Sequence, residues 1–179
     1  SEGWADILSE TAKLTASDGA TTDNFGYSVS ISGDTIVAGA AYDDDIATDS
    51  GSAYVFVKPG GGWSNTTETA KLTASDATAD DNFGISVSIN GDTIVVGAYL
   101  DDDNVNNSGS AYVFVKPGGG WTGALTQTAK LTASDGATLD YFGISVSISG
   151  DTIVVGAYND DDNGSQSGSA YVFVKPVGV

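Results

Sequence analysis

The chain states nearly the same sequence three times, and this recurrence limits its folds more than any other feature. Lys13, Lys71 and Lys130 occupy one position of the repeat, and Phe25, Phe83 and Phe142 another, giving periods of 58 and then 59 residues. The one-residue difference falls in the loops after Trp63 and Trp121. The clearest copy runs from Asp81 to Pro117, between copies from Asp23 to Pro59 and from Asp140 to Pro176. Units of this length cannot bury a hydrophobic face alone, so neighbouring copies must stack on one another.

Each period holds four short segments with strand character. Segment A of the middle copy, Ile85 to Asn90, alternates Ile85, Val87 and Ile89 with Ser86, Ser88 and Asn90. This period of two predicts a strand whose apolar side packs on one neighbour while its small serine side lets another approach closely. Asn90-Gly91, like Ser32-Gly33 and Ser149-Gly150, predicts a tight hairpin turn into segment B, Thr93 to Ala98. Segments B and C (Ala111 to Val115) are continuous apolar runs, too short for helices and suited to strands covered on both faces. Segment D, Thr69 to Ala74, alternates again and carries Lys71 on its polar side, as a half-exposed outer strand does. In the Pro117 to Trp121 connection, Pro ends strand C and Trp is expected to cover a blade edge.

Sheets of four antiparallel strands, apolar on both faces in the middle, must be sandwiched between copies of themselves. The fold class predicted is therefore all-β, with three four-stranded β-propeller blades of about 58 residues. A β-solenoid would need shorter rungs, and a single sandwich would not need this period.

Composition narrows the function. The chain has 24 acidic residues, six Lys, no Arg and no His, and its formal charge of -18 argues against nucleic acid as a partner. Cys is absent, which closes disulfide and thiol chemistry. No apolar run approaches the roughly 20 residues that span a bilayer, and Ser1 to Glu10 lacks the basic and apolar regions of a signal peptide. A soluble chain without membrane insertion, secreted or at a cell surface, is the expectation. Without His, Cys or Arg, and with near-identical copies in place of one specialised site, the chain is expected not to be an enzyme.

The residues also carry a family resemblance. Phe83-Gly84, Val96-Gly97-Ala98 and the GSAYVF run from Gly109 to Phe114 resemble FG-GAP repeats, the blades of the integrin alpha-subunit propeller and of many bacterial surface proteins. The match recurs at Phe25-Gly26 with Gly39-Ala40 and at Phe142-Gly143 with Gly156-Ala157. The resemblance implies an extracellular, non-enzymatic adhesion or ligand-binding propeller, often with calcium in some blades. Two departures stand out. Ala41, Tyr99 and Tyr158 replace the family's proline, and only the short turns at Gly33-Asp34, Gly91-Asp92 and Gly150-Asp151 stand where integrin blades carry their calcium loop. That calcium site does not carry over.

A different acidic site is expected. Up-and-down strands place the B-C and D-A loops at one end of every blade. The B-C loops hold Asp43, Asp44, Asp45 and Asp49, then Asp101, Asp102 and Asp103, then Asp160, Asp161 and Asp162. The D-A loops hold Asp18 and Asp23, Asp76, Asp80 and Asp81, and Asp135 and Asp140. Lys58, Lys116 and Lys175 fall at the opposite end, so a dipolar unit is expected. Aspartates serve turns and solubility, but so many on one face repel unless a cation neutralises them. One weak Ca2+ site per repeat is therefore expected, with Asp43, Asp44, Asp45 and Asp23, then Asp101, Asp102, Asp103 and Asp81, then Asp160, Asp161, Asp162 and Asp140 as candidate ligands. Tyr42, Tyr99 and Tyr158 border this rim and are the candidate contact surface for a glycan or protein. Asn65-Thr-Thr67, Asn106-Asn-Ser108 and Asn163-Gly-Ser165 match the glycosylation pattern, which arises easily in a chain of this composition.

The expected division is an N-terminal outer strand over 1–17, blade 1 over 18–75, blade 2 over 76–134, and blade 3 over 135–179 without its own outer strand. Glu10 to Ser17 has the shape of the missing strand. Three blades are too few for a ring, since propellers use at least about 4. A homo-oligomer that exchanges this strand is expected, a six-bladed dimer before a nine-bladed trimer, an open polymer or a fragment of a longer propeller. The alternative function is a self-assembling matrix or filament protein.

Overall fold

A computed structural model describes residues 9–176. Blade 1 comprises β1 (Ser28–Ser32), β2 (Thr35–Ala40), β3 (Ser52–Val57) and β4 (Ala70–Thr73), paired in that order and antiparallel throughout. Blade 2 repeats this with β5 (Ser86–Asn90), β6 (Thr93–Ala98), β7 (Ser110–Val115) and, after an additional short strand, β9 (Ala129–Leu131). Blade 3 has β10 (Ser145–Ser149), β11 (Thr152–Ala157) and β12 (Ser169–Val174), and among the described residues nothing pairs with the outer edge of β12. The chain is all-β, three blades that do not close into a ring.

The register follows the sequence pattern. Two-residue Gly-Asp turns join the first two strands of each blade, with Gly33, Gly91 and Gly150 at φ near +57°. The central strands of blades 1 and 2 are covered on both faces, as their unbroken apolar runs require, whereas β11 and β12 of blade 3 leave one face open, with Val154 and Val172 exposed. Val37, Val55 and Leu72 of blade 1 meet Val87, Ile89, Ile94 and Phe114 of blade 2 in one core, and Val95 and Ala111 of blade 2 meet Phe142, Ile148 and Val155 of blade 3 in the next. The inner strands approach closely enough for serines to bond across blades. The Ile89 amide donates to Ser30 Oγ at 3.2 Å, the Ile148 amide donates to Ser88 Oγ at 3.2 Å, and Ser28 Oγ donates to the Gly84 carbonyl at 2.7 Å.

The same packing explains the two glycine-bearing motifs. Gly39 of blade 1 lies under the Gly84 backbone of blade 2, where a Cβ on Gly39 would stand 1.9 Å from the Gly84 carbonyl oxygen. Gly97 and Gly143 repeat this contact between blades 2 and 3. Phe83, fully buried, fills the neighbouring space edge-on to Tyr112 and Phe114, with ring centroids 5.5 and 5.9 Å away.

Two local expectations are corrected. Within one chain, Glu10 to Ser17 makes a parallel bridge, Leu14 to Thr66, and the strand pairing expected of it is with a second copy. The expected outer strand over 1–17 lies partly outside the described residues. The connection after Trp121 contains β8 (Gly123–Thr126), which pairs parallel with β4 and joins blade 2 to blade 1. Trp121 is buried in the core between these blades with Leu125 against it, so it fills an interior and does not shield an edge.

Candidate functional site

The acidic end is built from the first aspartate of each triplet. Asp43, Asp101 and Asp160 are buried, each at 2% exposure, and each organises its own loop. Asp43 Oδ1 accepts from the Asp45 amide at 3.2 Å and from Ser52 Oγ at 3.1 Å, while the Tyr54 hydroxyl reaches Asp43 Oδ2 at 2.6 Å. Asp101 is held likewise by the Asp103 amide, Ser110 Oγ and the Tyr112 hydroxyl. Asp160 accepts from the Asp162 amide at 3.0 Å and from the Tyr171 hydroxyl at 2.6 Å, and these bonds hold its carboxyl below the usual range.

Opposite Asp43 and Asp101 stands a lysine of the outer strand. Lys71 Nζ lies 2.8 Å from Asp18 Oδ2 and 3.2 Å from Asp43 Oδ2, and also donates to Asp45. Lys130 Nζ makes the matching set with Asp76 at 2.8 Å, Asp101 at 3.0 Å, and Asp103. Both ammonium groups stand 5.1 Å from the ring centroid of the tyrosine beneath, Tyr54 or Tyr112. Burial opposes their charge, but hydrogen bonds to the surrounding carboxylates outweigh it and hold both lysines above their ordinary pKa. Asp18 and Asp76 are pushed up by burial and pulled down further by lysine, ending below the ordinary value. Burial, followed by the facing carboxylates, drives the Tyr54 and Tyr112 hydroxyls far above theirs.

Three carboxylate oxygens within 4.8 Å of one another are thus offered by Asp18, Asp43 and Asp45, and again by Asp76, Asp101 and Asp103. Such groups can hold a cation, and the cation the structure places there is a lysine ammonium. The other candidate ligands serve their own loops. Asp44 Oδ1 accepts from the Asp49 amide at 2.7 Å and Asp161 Oδ1 from the Gln166 amide at 2.6 Å, while Asp102 is exposed. Asp23, Asp81 and Asp140 are buried and accept, each at 2.6 Å, from the amides of Ala20, Thr78 and Ala137. Burial pushes the Asp81 carboxyl up to about 6, helped by the charges of Asp101 and Asp102.

Beside this rim the tyrosines gather. Tyr99 and Tyr158 flank Tyr141, each with a centroid distance of 5.6 Å, and the Tyr141–Tyr158 pair is stacked. Tyr27 meets Tyr42 edge-on at 6.1 Å. Burial raises the Tyr99 hydroxyl pKa, and the charges of Tyr42, Tyr27, Tyr141 and Tyr158 raise it further, so all five share one neighbourhood. Tyr141 stands at φ +60°, a left-handed position where the other copies carry Asn24 and Asn82, residues better suited to it.

The sequence pattern of the FG-GAP repeat matches residues 8–56, 66–114 and 125–173. The chain belongs to the FG-GAP repeat family. Each FG pair is Phe25-Gly26, Phe83-Gly84 or Phe142-Gly143, and in blades 2 and 3 its glycine is the one that roofs the Gly-Ala motif of the preceding blade. No curated protein matches the chain. Among solved structures, it is similar to the computationally designed Ika4 protein, at 12% identity and a TM-score of 0.40, over 94% of this chain and 99% of that one. It is also similar to the computationally designed Ika8 protein, at 14% identity and a TM-score of 0.41, over 92% of this chain and 48% of that one.

Within this FG-GAP frame, the repeat pattern marks the acidic end and three of the five tyrosines. Lys71 and Lys130 belong to the acidic clusters and are more than the edge lysines that their strand pattern predicts; the signal for this is their recurrence on the outer strand that follows each Asp triplet and strand C. Tyr27 and Tyr141 carry no repeat signal, since Ile85 and Ile144 stand where blade 1 has Tyr27. At the opposite end Lys58 and Lys116 pair with Asp34 and Asp92 at 3.1 Å, so that end is balanced and the expected dipole arises from the acidic end alone.

Proposed function

We propose that this FG-GAP chain is a non-catalytic binding and adhesion module, secreted or displayed on a cell surface, that meets a glycan or protein ligand with its tyrosine-bearing acidic end. The observation that carries this is the convergence of Tyr27, Tyr42, Tyr99, Tyr141 and Tyr158, contributed by all three blades, beside carboxylates already fixed by hydrogen bonds. Flat aromatic faces flanked by oriented acceptors suit the apolar face and hydroxyls of a sugar, or a basic peptide. Tyr158 remains 57% exposed and Tyr27 56%, so they are open to a partner. The family's extracellular adhesion proteins support the same reading.

Calcium, in this reading, competes with lysine for the same oxygens. The test of the main proposal is binding of the 179-residue chain to immobilised glycans and to basic peptides, alongside Tyr99→Ala and Tyr158→Ala. Binding by the wild type that is lost in both variants supports the proposal, and no binding, or binding indifferent to both, sinks it.

A second reading, self-assembly through the blade ends, is favoured by apolar exposure at both ends of the stack. Val29 and Ile31 on blade 1 are 67% and 62% exposed, and Val172 on blade 3 is 64% exposed. Mass measurement in solution separates monomer, six-bladed dimer, nine-bladed trimer and filament.

A further inference from the structure

The two outer faces of the stack are counterparts of faces that are buried inside it. Val154 and Val172 on blade 3 correspond to Val37 and Val55 on blade 1, which are fully buried against Val87 and Ile89 of blade 2. Val29 and Ile31 on blade 1 correspond to those same Val87 and Ile89, which are only 8% and 5% exposed. A blade-3 face laid on a blade-1 face therefore reproduces a contact that the chain already makes twice.

The strand edges and charges repeat the same relation. Blade 1 closes its edge with β4 and blade 2 with β9, and each of these strands carries a lysine into an Asp cluster of its own blade. Blade 3 has the equivalent aspartates, Asp160 buried under Tyr171 with Asp135 and Asp162 near it, but they do not converge within 4.8 Å as the other two sets do, and among the described residues no lysine enters them. Repulsion from Asp160 and Asp135 raises the Asp162 carboxyl, the mark of carboxylates without a balancing cation. Lys13 holds the repeat position of Lys71 and Lys130 and is exposed. Its segment is bound along one edge to blade 1, through Thr66 and the Asn65 side chain, as β4 is bound along one edge to β8. This anchorage on blade 1 keeps Lys13 at the far end of the stack from the blade-3 cluster of the same chain.

We propose that Lys13 of a second copy of this chain enters the Asp135, Asp160, Asp162 and Tyr171 cluster, while the strand around it pairs with β12. The register of blades 1 and 2 sets the pairing: Leu14 opposite Ala170, Lys13 opposite Tyr171, and Ala12 opposite Val172. Two such contacts between two chains make a six-bladed ring, within the usual range of about 4 to 8 blades. The inference rests on the self-assembly reading and adds what selects the contact: an ammonium that only an outer strand in the correct register delivers.

The experiment is light scattering over a dilution series on the 179-residue chain, with Lys13→Glu, Lys58→Glu, Asp162→Lys and the double variant Lys13→Glu/Asp162→Lys. All three substituted side chains are exposed, and circular dichroism checks that each of the four variants folds. The expected result is a wild-type dimer, an unchanged Lys58→Glu dimer, a dissociation constant raised about a hundredfold or more by Lys13→Glu, and recovery in the double variant. A monomeric wild type would overturn both the assembly and the lysine contact. A wild-type dimer that Lys13→Glu leaves intact, or that the double variant fails to restore, would overturn the lysine contact and leave the assembly standing.

Discussion

Lys130 Nζ lies 3.0 Å from Asp101 Oδ2, joining the outer strand of blade 2 to the loop between its central strands. Asp101 is buried, so removing the ammonium leaves charge with little access to water. Lys130→Met is expected to cost about 3 kcal/mol, the scale for breaking a buried pair on one side. Chemical denaturation measures it. The same variant leaves three convergent carboxylates without their cation, so millimolar calcium is expected to raise its melting temperature while leaving the wild type unmoved.

Acid should loosen the same clusters. Asp18 and Asp76 have folded pKa values below the ordinary carboxylate value, so their contribution to stability is present above that value and is lost as pH falls through the depressed folded ones. Lys71 and Lys130 are raised, so their contribution is complete below the unfolded lysine value and is lost only as pH climbs through the raised folded one. Melting temperature against pH should therefore fall below about pH 4 and hold through mildly alkaline solution. In Lys71→Met/Lys130→Met the acid loss should be much reduced.

Asp81 should behave in the opposite sense. Its pKa of about 6 exceeds the ordinary value of 3.8, so the folded state binds its proton more tightly, and ionisation destabilises the fold progressively as pH rises from about 4 to about 6. Asp81→Asn keeps an oxygen for the Thr78 amide and is expected to gain about 2 kcal/mol at pH 7, with no gain at pH 4. Denaturation at the two pH values checks this.

Gly97 and Gly156 hold the same repeat position in different surroundings. A Cβ on Gly97 would stand 1.9 Å from the Gly143 carbonyl oxygen, whereas a Cβ on Gly156 would meet nothing closer than the movable Ser145 Oγ at 2.4 Å. Gly97→Ala should cost about 3 kcal/mol or more by prising blades 2 and 3 apart, and Gly156→Ala under about 1 kcal/mol. In an assembled ring, however, Gly156→Ala should block the contact with a second copy, so its mass should fall while its fold persists.

Much of the fold was legible because its signals are local. Alternation in Ser86–Asn90, the apolar runs of β6 and β7, and the Gly-Asp turns each act within a few residues, and all appear as read. β8 was not legible, since Gly123–Thr126 has no strand pattern of its own and exists because β4 offers it an edge. In the site, the acidic loops were plain, yet the work of each aspartate was not. Asp43 and Asp44 are adjacent and chemically identical, but Asp43 is buried under Tyr54 and Asp44 ties its own loop.

From the sequence alone follow three blades, their strand order, their FG-GAP membership and an acidic end, because repeat period, alternation and turn chemistry are properties of neighbours along the chain. Only the tertiary structure decided that Lys71 and Lys130 neutralise the aspartates and that five tyrosines share one place. Those contacts join residues tens of positions apart, and they depend on how strands pair and how each blade lies against the next.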